Sequence, residues 1–141
     1  MQWTLRGNLV TADEGDLADE PSGGRGWTVF AQDGTVLHSS GGSAERALAA
    51  AGAYPDGRSD DKGAEFEGAE GARRRGVDYT FIGAERGDAV LVYDTDRDAA
   101  PELLQVLPVG DAPEGLLAVP SRGLFVASNE DDGTLSVFGL R

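Results

Sequence analysis

Six acidic residues are the candidates for chemistry in this chain: Glu14, Asp61, Glu67, Glu85, Glu114 and Glu130. Three of them occupy matching places. Glu14, Glu85 and Glu130 follow Leu9-Val10-Thr11-Ala12, Phe81-Ile82-Gly83-Ala84 and Phe125-Val126-Ala127-Ser128, each an apolar run passing into small residues. Upstream, Glu67-Gly68 is matched by Glu114-Gly115. In an antiparallel repeat the start of one strand and the end of the next share a rim. Glu67 then falls near Glu85, and Glu114 near Glu130. Asp13, Glu14, Asp16, Asp60 and Asp61 reach the same side from loops. Carboxylates gathered on one rim repel unless one is protonated or a cation lies between them. Ca²⁺ suits such a set, because it accepts six to eight oxygens in flexible geometry. The six acids are therefore a candidate Ca²⁺-binding rim. The competing reading is that these glutamates cap strand ends and accept backbone N–H bonds, since turns favour acidic residues for their own reasons.

Other chemistries find little to stand on. The chain has no Cys and a single His, which leaves no thiol chemistry and no zinc site built on several histidines. His38 stands beside Ser39 and Ser40, but a Ser-His-Asp triad is recognised by geometry rather than by neighbours in sequence. The glycines of GGRG and SSGGS lack the spacing of a phosphate-cradling loop. No catalytic residue is assigned.

The elements that must position the acids read as β. Runs of four to six residues rich in Val, Leu and aromatics are bounded by Gly, Asp and Asn. Strands are expected at Gly26–Phe30, Val36–His38, Glu67–Ala72, Tyr79–Ala84, Ala89–Tyr93, Leu103–Val106, Gly115–Val119, Leu124–Ser128 and Thr134–Phe138. Trp3 to Thr11 is one further apolar stretch. Gln32-Asp33-Gly34-Thr35 is a tight turn, because Asp-Gly supplies positive φ. One helix is expected over Ala44–Ala51, with Ser43 as N-cap and Gly52 as its stop. The separation of Glu85 and Glu130, about 45 residues, is close to the period of a four-stranded propeller blade. The predicted fold is all-β: a partial β-propeller of about three blade-like antiparallel units, with a short helix in an insertion. The units fall at about 3–38, 64–107 and 113–140, and the insertion at 39–63, all in one domain over 1–141. A small sandwich is the alternative. Three units are too few for a ring that needs four to eight, so a truncated propeller or assembly of several chains is expected. Open sheet edges invite pairing or self-association.

The net charge of −13 argues against nucleic acid, which needs a basic footprint. The one basic cluster, Arg73-Arg74-Arg75, reads as a solvated hairpin tip. No apolar run is long enough for a spanning helix, and no signal-peptide h-region is seen.

LVTADEGD, RSDDKGAEFEG, YTFIGAER, LVYD, APEGLLAVP and VASNEDDGTLSVF occur in this order over roughly residues 5 to 140. In that order they resemble the C-terminal part of the choice-of-anchor I domain. The resemblance implies a β-propeller-like fold, an extracellular or cell-surface location and a loose alkaline-phosphatase-like description. Two functions follow as expectations. The first is a non-catalytic binding or structural piece of a surface propeller. The alternative is a calcium-dependent phosphoester or ester hydrolase, in which the metal polarises a phosphoryl oxygen.

Overall fold

The computed structural model describes residues 1–4, 6–17, 23–96 and 100–140. Parts of the predicted stretch Trp3–Thr11 and of the loops around Pro21 and between Asp94 and Pro101 lie outside the described residues.

Three antiparallel sheets, each a simple meander in chain order, make the fold. The first contains β1 (Gln2–Trp3), β2 (Leu9–Asp13), β3 (Gly26–Phe30) and β4 (Val36–Ser39). The second contains β5 (Phe66–Arg74), β6 (Val77–Ala84), β7 (Ala89–Asp94) and β8 (Glu102–Pro108). The third has three strands, β9 (Pro113–Val119), β10 (Leu124–Asn129) and β11 (Thr134–Gly139). The predicted strands are all present, with ends moved by up to two or three residues. The apolar stretch from Trp3 divides into two strands, because Gly7 takes φ +80° and turns the chain back so that Trp3 pairs with Leu9.

The insertion carries α1 (Ser43–Ala51). It ends at Gly52, whose φ of 73° lets its N–H close back on the carbonyl of Ala49. The start differs from expectation. Gly42 is the N-cap, with no side-chain cap bond, and Ser43 lies inside the helix, its hydroxyl donating to the carbonyl of Ser40. Ala44 and Leu48 form the buried side of the helix and join the core between the first two sheets.

Strand alternation decides which residues meet across the sheets. In the second sheet, Ala69, Ile82, Leu91 and Val106 stand in one row and face the first sheet. There they meet Val10 and Trp27. Trp27 is wedged between Tyr93 and His38, at ring-centroid distances of 4.7 and 4.9 Å. The opposite face of the second sheet presents Phe81 and Val90 to Phe125 and Ala127 of the third. Phe81 and Phe125 stack at 4.2 Å with planes 12° apart.

Two glycines allow the third sheet to come this close. A Cβ on Gly68 would lie 3.0 Å from Cγ of Leu116 and 3.3 Å from the carbonyl oxygen of Glu114, and Gly83 lies beside it. Hydrogen bonds also cross the gap. Arg74 donates to the carbonyl of Pro120, and the N–H of Ala118 donates to the carboxylate of Glu70. Arg73 pairs with Asp78 at 3.3 Å. The three-arginine run is therefore not simply a solvated tip: two of its members hold neighbouring structure, and Arg75, with φ 52°, takes the turn.

Candidate functional site

The acids that come together lie where the first sheet meets the second. Glu14 follows the end of β2, Glu67 is the second residue of β5, and Glu85 follows the end of β6. The chain just before β5 is strapped to the turn after β6: the N–H groups of Glu85 and Arg86 donate to the carbonyls of Glu65 and Ala64, at 2.9 and 3.1 Å. Pairing is irregular here, the register stepping from Phe66–Ala84 to Ala69–Ile82. Glu67 and Gly68 sit in that bulge, and the Glu67 side chain meets Glu85. Carboxylate oxygens of Glu14, Glu65 and Glu67 all lie within 4.8 Å of one another.

Three cations are threaded through these acids. Glu65 is buried, with φ +49°. One of its oxygens pairs with Arg58 and the other with Nε of Arg86 at 3.2 Å. Arg86 also reaches Glu85 at 2.8 Å and Asp131 of the third sheet at 3.5 Å. Arg58 holds Asp61 at 2.7 Å, and Lys62 pairs with Glu14. Arg25 donates to the backbone carbonyls of Ser59 and Asp61, tying the insertion to the first sheet.

The electrostatics divide the two buried glutamates. Burial alone pushes Glu65 up, but the hydrogen bonds and charges of Arg58 and Arg86 outweigh it and hold this carboxyl below its usual range. Glu85 goes the other way. Burial, then the hydrogen bond and charge of Glu67, push it up to about 7, against the pull of Arg86. Two carboxyls in hydrogen-bond contact need a proton between them, so at neutral pH Glu85 is partly protonated. Lys62 is held above its ordinary value, chiefly by the hydrogen bond to Glu14.

Of the six acids singled out in the sequence, Glu14, Glu67 and Glu85 gather here, and Asp61 stands at the margin through its bond to Arg58. Glu114 and Glu130 are exposed at the same end of the third sheet, where Pro113 faces Asn129 and the Glu130 N–H donates to Ala112. Among the described residues, the group close enough to share an ion is Glu14, Glu65 and Glu67. Glu65 was missed by sequence reasoning. It lies just before β5 with φ +49°, outside the alternation that strand spacing can read. Arg58, Lys62 and Arg86 had no signal either.

His38 packs against Trp27, and burial lowers its pKa. Ser40 accepts a hydrogen bond from the N–H of Trp27 at 2.9 Å. These contacts give both residues a place in the packing of the first sheet. The wider openings lie away from the acids. One, of about 410 Å³, runs beside Val10, Leu37, His38 and Asp78. Another, of about 470 Å³, is lined by Phe81, Leu104, Leu107, Phe125 and Phe138.

The fold and site define an all-β module of three antiparallel sheets, whose gathered acids are interleaved with basic side chains. The sequence model described as the Choice-of-anchor I domain matches residues 20–98, more than half of the chain. The chain therefore belongs to the choice-of-anchor I domain family. No curated protein and no solved structure matches it. Family membership points to a cell-surface-associated module. Among the described residues, no helix is long and apolar enough to cross a membrane.

Proposed function

We propose that this chain is a non-catalytic binding or structural module of a secreted or cell-surface protein, built as part of a β-propeller. One observation carries the reading: both oxygens of Glu65 are engaged by guanidinium groups, and Lys62 and Arg58 hold Glu14 and Asp61. A hydrolytic metal centre needs carboxylates free to bind the ion and an open position for substrate. Here the same carboxylates join the first sheet, the insertion, the second sheet and, through Arg86, the third. The three meanders then act as blade-like units of one domain, at about 3–38, 64–107 and 113–140, with 39–63 as the insertion. The acidic balance disfavours nucleic acid as a partner. The test is hydrolysis of p-nitrophenyl phosphate with and without Ca²⁺. Background rates in both are expected; Ca²⁺-dependent turnover that disappears in Glu67→Gln would overturn the reading in favour of a calcium-dependent hydrolase.

A second reading, a Ca²⁺ site without catalysis, is favoured by the carboxylate oxygens of Glu14, Glu65 and Glu67, which lie within 4.8 Å of one another with Glu85 beside them. A cation entering beside Glu14 and Glu67 would favour the charged form of Glu85, displacing its proton, and relieve the repulsion among the acids. Calorimetric Ca²⁺ titration near neutral pH, run in two buffers of different ionisation enthalpy, is expected to show proton release on binding. Heats that are independent of buffer, or unchanged in Glu85→Gln, would remove this reading.

A further inference from the structure

We propose that the polar opening between the first and second sheets, at the end away from the gathered acids, binds a neutral hexose unit of a glycan. The proposal rests on the non-catalytic binding reading above and gives it a ligand. Asp78 marks this end: it lies at the start of β6, whereas Glu85 follows its end. The opening measures about 410 Å³, within the range of about 300–1,000 Å³ for small-molecule sites. A recess of about 70 Å³ shares Thr4, Val10, Asp78, Thr80 and Thr95 with it and reaches back to Gln2 and Tyr79.

The second-sheet wall departs from its counterpart in the next seam. Thr80 pairs with Tyr93 across the sheet, and both face the first sheet. Counting on by the separation of Glu85 and Glu130, Thr80 and Thr95 correspond to Phe125 and Leu140, which line the opening between the second and third sheets. Where that seam has carbon side chains, this one has hydroxyls, with Asp78 buried beside them. Burying polar groups costs stability unless each finds a partner. The partners found within the chain use up the hydroxyl hydrogens. Thr95 donates to the carbonyl of Asp78 at 3.2 Å, so Thr80 is the donor in its 3.1 Å contact with Thr95. What these threonines still offer is lone pairs, and the Asp78 carboxylate adds further acceptors. Such a wall calls for a ligand rich in O–H donors.

The charges select a neutral ligand. Asp78 pairs with Arg73 at 3.3 Å and with Arg6 at 3.7 Å, and Arg6 also reaches Asp96 at 3.4 Å. The two acids and the two arginines cancel. On the first-sheet wall, burial lowers the pKa of His38, so its ring is uncharged at neutral pH. The rest of that wall is apolar, formed by Val10, Val29 and Leu37. A hexose matches both walls, because its ring presents C–H groups on a face and hydroxyls around its edge. Asn8 and Arg6, which also line the opening, supply N–H donors for the sugar oxygens.

Saturation-transfer NMR on the full chain, with the methyl glycosides of glucose, galactose and mannose as probes, is expected to show saturable binding of at least one. Its affinity is expected in the millimolar range, as suits a ligand of so few atoms. Thr95→Val keeps the shape of the side chain and removes the hydroxyl, and is expected to weaken that binding about tenfold. Leu37 is 54% exposed, so Leu37→Ala is expected to weaken binding and leave the melting temperature unchanged. Methyl glucuronide and methyl glucosaminide, each charged, are expected to bind more weakly than the best neutral glycoside. No binding of the three neutral probes, binding undiminished in both variants, or preference for a charged ring would each overturn the assignment. The p-nitrophenyl glycoside of the hexose that binds separates this site from the reading beneath it. Binding without cleavage supports both, whereas release of p-nitrophenol that is lost in Thr95→Val would keep the site and overturn the non-catalytic reading.

Discussion

The second and third sheets are built from similar strands, yet they live in different surroundings. Phe81 and Val90 on one face of the second sheet, and Ile82 and Leu91 on the other, are all almost fully buried. In the third sheet Phe125 and Ala127 are buried, while Val137 and Leu135 on the other face are open. The difference teaches that burial here comes from position in the stack rather than from the repeat itself. A unit of this kind cannot cover its own apolar faces, and neighbours must do so.

The comparison is broken most strongly by truncation at the shared face. Phe81→Ala or Phe125→Ala removes half of the stack and is expected to cost about 3–5 kcal/mol, measured by urea denaturation. The same assay on Val137→Ala, on the bare face, is expected to show a change within about 0.5 kcal/mol; equal losses at the two positions would mean that the outer face is covered in solution. Overpacking comes next. Gly68→Ala places a Cβ against Leu116 and backbone, with an expected loss of about 1–3 kcal/mol. If it proves neutral, the second and third sheets are further apart than described.

The pH effect is smaller and sharpens the contrast between the two buried glutamates. Between its ordinary value of 4.5 and about 7, Glu85 keeps a proton in the folded chain that the unfolded chain has released. Stability is therefore expected to fall as pH rises through that window, and Glu85→Gln is expected to flatten the slope in thermal melts. Glu65 has the opposite sign. Its pairing with Arg58 and Arg86 stabilises the fold above its ordinary carboxyl range, and that contribution is lost as pH falls below it. Glu65→Gln melts should therefore converge on wild type in acid; a constant gap at every pH would assign its role to packing.

Much of the fold was legible because strand signals are local. Alternation and turn residues placed the core strands of each meander, and Asp33 does take the turn, accepting the N–H of Thr35 at 2.9 Å while Gly34 takes φ +87°. The helix was legible for the same reason, though its cap was not: Ser43 is the preferred residue type, but Ser40 drew its hydroxyl away. Glycine in a strand interior weakens it, so Gly68 in β5 calls for a reason. That reason lies across the gap, where Leu116 needs the room beside Gly68.

The sequence by itself determined that the chain is all-β and repetitive. It also brought Glu67 to Glu85, because a meander returns the end of one strand to the start of its neighbour. Only the tertiary structure decided what surrounds that pair. Arg58, Lys62 and Arg86 come from the insertion and from a turn, and they reach Glu14, Asp61, Glu65 and Glu85 because the first two sheets pack face to face around Trp27. Hydrophobic periodicity says which side of a strand is apolar. Which sheet covers that side, and which charges the packing carries together, depends on contacts between residues far apart in the chain.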